Sequence, residues 1–149
     1  MNILFLCHGN ICRSPMAEFV MKHEFEVNKL FGHKVWSRAL RTDEIGSDTY
    51  SPARRTMDLH KIPYSRHCAT LITQADFDEA DVIYIMDEEN ARDIRRRFGE
   101  TDKVKKLMSV VGLSRDVADP WYTRDFELTY DDISRSCSAI ADMLKKQKA

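Results

Sequence analysis

The 149 residues contain no apolar stretch that approaches the length needed to cross a bilayer. The run after Met1, Asn2-Ile3-Leu4-Phe5-Leu6, is too short for a signal-peptide core and lacks a basic flank and a cleavage site. A cytoplasmic location with no membrane partner is therefore expected. An excess of charge of one sign is also missing. Lys+Arg number 23 against 24 Asp+Glu, a formal net charge of −1, which leaves no electrostatic footprint for nucleic acid. Cysteines are few: Cys7, Cys12, Cys68 and Cys137. Without an export signal they read as thiols, not as a disulfide framework. No C-x-x-C occurs, and His8 beside Cys7 has no second ligand pair at zinc spacing, so no metal is expected. The G-x-x-x-x-G-K-[ST] and G-x-G-x-x-G signatures are absent, which sets nucleotide binding aside and leaves no cofactor to expect. There is no internal repeat, low-complexity segment or linker. The length fits one domain, 1–149, able to bury a core without disulfide staples.

What is present reads as strand, loop and helix in alternation. Ile3 to Leu6 is a continuous apolar run, as in a central strand buried on both faces. Cys7 to Pro15 reads as a loop. Met16, Phe19, Val20, His23 and Val27 recur at helical spacing, and Pro15 suits a first turn. Lys34 to Leu40 reads as a second strand, and 41–51 as a polar surface loop. A helix opening at Pro52 runs to about Ile62-Pro63, and Leu71-Ile72 is a brief extended piece. Val82 to Met86 is a clear buried strand, Glu88 to Phe98 a helix, and Val104 to Met108 a further strand. Val110 to Phe126 reads mostly as loop. Ile133, Cys137, Ile140, Ala141 and Leu144 form an apolar stripe on a last helix. The alternation predicts an α/β fold with a parallel sheet covered on both faces. Ligands of such folds bind beyond the carboxyl ends of the strands.

The loop after the first strand reads Cys7-His8-Gly9-Asn10-Ile11-Cys12-Arg13-Ser14. Between a buried strand and a helix, its backbone N–H groups can converge into an anion nest, with the helix N-terminus adding partial positive charge. Gly9 permits backbone angles that larger residues resist. Arg13 offers a planar fork that matches two phosphate oxygens. The same positive setting favours the thiolate of Cys7 over the thiol. Ser14 is placed to hydrogen-bond it. The loop thus reads as a phosphate cradle with a nucleophile at its base. A buried core cysteine next to a surface arginine is the plainer alternative, and the position of C-x5-R between strand and helix argues against it.

A thiolate that displaces an alkoxide or phenolate from phosphorus needs an acid for the leaving oxygen. Asp119, in Asp119-Pro120-Trp121-Tyr122, is the candidate. Alone it would read as an Asp-Pro turn; paired with Cys7 and Arg13 it reads as the acid. Trp121 and Tyr122 would then wall an aromatic leaving group.

Together these motifs resemble the low-molecular-weight protein tyrosine phosphatases, over nearly the whole chain. The resemblance rests on Cys7 through Glu18, on Glu44-Ile45-Gly46, and on Pro52-Ala53-Arg54-Arg55. Met86-Asp87 with Asn90, Asp119 through Tyr122 and Asp125-Phe126-Glu127 complete it. It implies a flavodoxin-like fold with a four-stranded parallel sheet and helices on both faces. It implies Cys7 as nucleophile, Arg13 as phosphate clamp and Asp119 as acid, then base toward water. A cysteinyl phosphate would be the intermediate. Phosphotyrosine proteins would be the substrates and inorganic phosphate the product; apart from the resemblance, a monomer is the plain expectation. It further implies that Asn10, Ser14, Ser37 and His67 shape the loop by hydrogen bonding. Cys12 would form a reversible disulfide with Cys7 that shields it from over-oxidation.

The chain departs from the family pattern at two mouth positions. His8 stands where an apolar or small residue is common. Asp43 stands where many members place an aromatic, and an acidic residue there disfavours acidic substrates and weakens stacking. Protein-arginine phosphatases on the same scaffold carry threonine at the position of Ile11, and the apolar Ile11 favours phosphotyrosine. Arsenate reduction needs further cysteines downstream, and none lies between Leu71 and Phe98. A non-catalytic phosphate-binding or redox-sensing module would not need Asp119.

Overall fold

The computed structural model describes residues 1–148. Strand β1 (Asn2–Cys7) leads to helix α1 (Arg13–Val27), then β2 (Lys34–Ala39), α2 (Ser51–Leu59) and α3 (Gln74–Glu79). β3 (Val82–Ile85), α4 (Glu88–Phe98) and β4 (Val104–Lys106) follow, with a 3-10 helix at Leu107–Val111, α5 (Pro120–Thr123) and α6 (Phe126–Lys148). The strands make one parallel sheet in the order β2-β1-β3-β4. This is the flavodoxin-like, four-stranded α/β architecture implied by the sequence.

Alternation along the strands divides the core in two. Ile3, Phe5 and Cys7 of β1 join Val35, Val82 and Tyr84 under α1 and α6, against Met16, Val20, Ile133, Cys137 and Ile140. Leu4 and Leu6 join Trp36, Ile83 and Ile85 on the other face, against Ile94 of α4 with Phe77 and Phe98 packed alongside. Every β1 residue from Ile3 to Leu6 is fully buried, so truncating one to alanine costs about 2–5 kcal/mol. From β1 the chain crosses to one neighbour, β2, and later returns to the other, β3. The loops after β1 and β3 therefore run apart and open a crevice at their carboxyl ends.

Several sequence expectations are corrected. Val27 does not belong to the apolar face of α1: it is 64% exposed, and Phe25 and Leu30 are buried instead. The chain turns there, with Lys29 at φ +53° and the Leu30 N–H donating to Phe25 O. β4 ends at Lys106, and the fully buried Leu107 and Met108 begin the 3-10 helix. An apolar pair buried in a 3-10 turn has the same pattern as the end of a strand. α2 stops at Leu59, short of Ile62. α3 lay outside the expected helices, although Thr73 and Asp76 form a complete capping box at its start. Of the two cysteines outside the first loop, Cys68 is exposed and Cys137 fully buried. Leu71 makes a single parallel bridge to Ala39. Among the described residues no helix is long and apolar enough to cross a membrane.

Candidate active site

β1 carries Cys7 to the carboxyl edge of the sheet, and α1 begins at Arg13. The α1 N-terminus has no side-chain cap and no acidic residue in its first turn, so its N–H groups and positive dipole end are left to serve an anion. The Ser14 N–H donates to Cys7 Sγ at 3.4 Å, and Ser14 Oγ lies 3.0 Å from the same sulfur. Asn10 sets the direction of the hydroxyl bond. Its side-chain amide donates to Ser14 Oγ at 2.8 Å and to Ser37 Oγ at 3.0 Å. Ser37 donates onward to Glu18 at 2.7 Å. Asn10 donates to one lone pair of Ser14 Oγ, which leaves the Ser14 hydrogen available to the sulfur.

The same network holds the loop in shape. Asn10 sits at φ +60°, a left-handed conformation that asparagine tolerates better than most residues. Its carbonyl lies 2.8 Å from His67 Nε2, and its side-chain oxygen accepts from Thr70 N–H at 3.2 Å. Asn10 and Ser14 are fully buried and Ser37 nearly so, so each loses full solvation if its partner is removed. Gly9 does not supply the unusual backbone angles expected of it: the left-handed residue of the loop is Asn10, and a Cβ on Gly9 would meet Glu44 Cγ at 3.4 Å, an ordinary contact.

Arg13 is 2% exposed. Its Nη1 donates to Asp87 Oδ2 at 2.7 Å and to Val117 O at 3.0 Å, and its Nη2 to Asp119 Oδ2 at 3.4 Å. Burial works against the guanidinium charge, but Cys7, Asp119 and Asp87 outweigh it and hold its pKa above the ordinary value. Asp87 is fixed as the N-cap of α4, accepting from Asn90 N–H through Oδ1. Asp119 is the N-cap of α5, with Oδ1 taken by Trp121 N–H at 3.0 Å and Oδ2 turned to Arg13. Burial, with the charges of Cys7 and Asp119, raises the Cys12 thiol far above its ordinary value, so Cys12 is a protonated thiol beside the site.

A cavity of about 370 Å³ opens above these groups, lined by Cys7, Arg13 and Asp119 among others. The expected phosphate loop contributes His8, Gly9, Ile11 and Cys12, and the expected mouth contributes Asp43, Trp121 and Tyr122. Asn10, Ser14, Ser37 and His67 lie behind it in the network. One wall is aromatic: Trp121 packs 5.2 Å from the Tyr50 ring, with the Arg124 guanidinium 5.3 Å from its own ring. The other wall is acidic. His8 bridges it, with Nε2 2.6 Å from Asp43 Oδ2 and Nδ1 2.8 Å from Glu89 Oε1. Partial burial disfavours its charge, but hydrogen bonds and charges from Asp43 and Glu89 prevail and raise its pKa above 6.5.

Three lining residues were not singled out from sequence as site residues: Asp87, Glu44 and Glu89. Asp87 carried a usable signal, an aspartate directly after a buried strand and three residues before a helical asparagine, which is a helix N-cap pattern at a strand's carboxyl end. Glu89 carried none, since its place in the first turn of α4 already explains its charge.

The chain matches the family model "Low molecular weight phosphotyrosine protein phosphatase" over residues 2–149. It is 31% identical to the low-molecular-weight protein-tyrosine-phosphatase PtpA of Staphylococcus aureus, over 97% of this chain and 94% of that one. Its fold is similar to that of YfkJ from Bacillus subtilis, with a TM-score of 0.93, 31% identity, and coverage of 100% and 97% of the two chains. It is also similar to the YwlE arginine phosphatase, solved with a phosphorylated active-site serine (TM-score 0.88, 28% identity, coverage 98% and 97%). With the C-x5-R loop, the parallel sheet and this match over nearly its full length, the chain belongs to the low-molecular-weight phosphotyrosine protein phosphatase family.

Proposed function

We propose that the protein hydrolyses phosphotyrosine monoesters in protein substrates by two displacements at phosphorus. The Cys7 thiolate attacks the phosphorus, and the P–O bond to the tyrosine ring breaks. Asp119, protonated, gives its proton to the departing phenolate oxygen. The phosphoryl group rests on Cys7 as a cysteinyl phosphate. Asp119, now a carboxylate, takes a proton from water as the water attacks phosphorus. The P–S bond breaks, leaving inorganic phosphate and the thiolate. Throughout, Arg13 and the loop N–H groups hold the equatorial oxygens as charge shifts among them. Cys12, in the same loop, is the partner for a reversible disulfide should Cys7 be oxidised.

The observation that carries this reading is convergence: the Cys7 sulfur, the Arg13 guanidinium and the Asp119 carboxylate line one cavity, with Asp119 Oδ2 3.4 Å from Arg13 Nη2. The aromatic wall of Trp121 and Tyr122 and the apolar Ile11 favour an aryl leaving group over phosphoarginine. The test is hydrolysis of p-nitrophenyl phosphate in EDTA, run beside phosphotyrosine and phosphoarginine peptides, for the native protein and Cys7→Ser. Turnover of the aryl substrates by the native protein and a loss on the order of 10⁴-fold or more in Cys7→Ser is expected. A preference for phosphoarginine would overturn the substrate assignment, and near-native activity in Cys7→Ser would place the nucleophile elsewhere.

A further inference from the structure

The acidic wall is in excess of what the displacement chemistry uses. Asp43, Glu44, Asp87, Glu89 and Asp119 all line the cavity, and Arg13 and His8 are the basic residues among its lining. Asp87 and Asp119 are turned to Arg13. Asp43, Glu44 and Glu89 make no contact with it, and they stand where the cavity meets solvent. A wall of carboxylates beside a dianion cradle is unfavourable for a bare phosphate monoester. Part of that cost is recovered if the substrate brings positive charge next to its phosphoryl group.

His8 makes this wall a built feature. Each ring nitrogen faces one carboxylate, Asp43 from the loop after β2 and Glu89 from the first turn of α4. Both ring nitrogens are therefore engaged within the wall, and neither is left for an incoming anion. The bridge also fixes the two carboxylates on either side of the imidazole. Each gives one oxygen to His8, and the side chains remain 61% and 47% exposed. Arg41, the nearby basic side chain, spends its hydrogen bonds on Asp93, two at 2.9 Å each, and acts on Asp43 and Glu89 only through its charge.

Resting on the phosphotyrosine reading, we propose that Asp43 and Glu89, oriented by His8, select phosphotyrosine segments that carry a lysine or arginine adjacent to the phosphorylated residue. The aryl ring takes the Trp121–Tyr122 wall, and the neighbouring cation takes the facing carboxylates. Because both are exposed, each contributes the modest factor of a surface ion pair, about two- to fivefold, and the effect shrinks with added salt.

The test uses three phosphotyrosine peptides of equal length, flanked by lysine, serine or glutamate, with kcat/KM measured at low and high salt. The native protein is expected to prefer the lysine peptide to the glutamate peptide by about tenfold at low salt, mostly through KM, and by less at high salt. The double variant Asp43→Asn, Glu89→Gln should bring that ratio close to 1. Since the readout is a ratio within one protein, a general loss of activity does not move it. Equal rates on all three peptides in the native protein, or a ratio untouched in the double variant, overturns the proposal. p-Nitrophenyl phosphate separates the two readings, because it reports the phosphatase chemistry without any flanking charge. Should no peptide turn over, the same comparison is made as the binding affinity of Cys7→Ser for the three peptides, and equal affinities sink the rim assignment.

Discussion

The floor and the rim of the cavity are built by opposite means. On the floor, Asn10, Ser14 and Ser37 are at most 1% exposed and Arg13 is 2% exposed. Every polar group named there has a partner, and the partners come from β2, the 67–70 segment, β3–α4 and the loop before α5. On the rim, Asp43, Glu89, Trp121 and Tyr122 are exposed, and their charge and ring faces are open to solvent. Buried polar groups that depend on one another tolerate little change, because each loss leaves a desolvated partner behind. Exposed charges contribute little one at a time and can vary without cost to the fold. On the proposed reading, chemistry is held where substitution is expensive, and substrate choice where it is cheap.

Substitutions at four positions break or sharpen that contrast. The largest effect is expected from Asp119→Ala, which removes the proposed proton donor. With phenyl phosphate, a poor leaving group, kcat should fall by about 10²- to 10⁴-fold, and with p-nitrophenyl phosphate by much less. Equal losses on both would take Asp119 out of the acid role.

Next comes Asp87→Asn. Asparagine keeps the N-cap of α4 but loses the charge that holds Arg13 Nη1. Steady-state kinetics should show kcat/KM down about 10- to 100-fold, the range for a charge-assisted hydrogen bond. Asp87→Ala removes the cap as well and should lower stability by about 1 kcal/mol more in denaturant titration.

Asn10→Gly is expected to be smaller. Glycine keeps the left-handed backbone and deletes the amide that orients Ser14. A loss of about fivefold in kcat corresponds to one neutral hydrogen bond. Asn10→Ala adds left-handed strain of about 1 kcal/mol, visible as a lower Tm than that of the glycine variant.

The smallest of these four effects is that of the His8 bridge on stability. The His8 pKa is raised in the folded protein, so its bridge stabilises fully below the unfolded value near 6.5 and is lost as pH rises through the folded value. Thermal melts from about pH 5.5 to about pH 8.5 should show the native protein losing this increment, and His8→Gln lacking it throughout. Identical pH profiles would mean the bridge adds nothing to stability.

How far the sequence could be read follows the same division. Cys7, Arg13 and Ser14 were legible because a strand, a glycine-bearing loop and a helix start lie in one short segment. Ser37 and His67 were accessible only through family resemblance, since they meet Asn10 across 27 and 57 residues of chain and nothing local distinguishes a serine in a strand from one in a network. Asp87 was visible as part of a motif, but its partnership with Arg13 spans 74 residues and needed the β1–β3 pairing to appear. β1 and β3 followed from unbroken apolar runs. The end of β4 did not, because Leu107 and Met108 are as buried in a 3-10 helix as they would be in a strand. α3 is too short for helical periodicity, and only its capping box announced it. The rim carboxylates were the least legible of all. Apart from Asp43, they look like ordinary surface charge until His8 is seen between them.

The most direct test of the account is to mix Asp119→Ala with excess p-nitrophenyl phosphate, quench within the first turnovers and weigh the intact protein. Loss of the base that activates water slows breakdown of the intermediate, so the account predicts a mass increase of one phosphoryl group that maps to Cys7 and is absent from a Cys7→Ser, Asp119→Ala double variant. Release of p-nitrophenol with no phosphoryl group on Cys7 at any time would contradict it, and would mean that water attacks the ester directly.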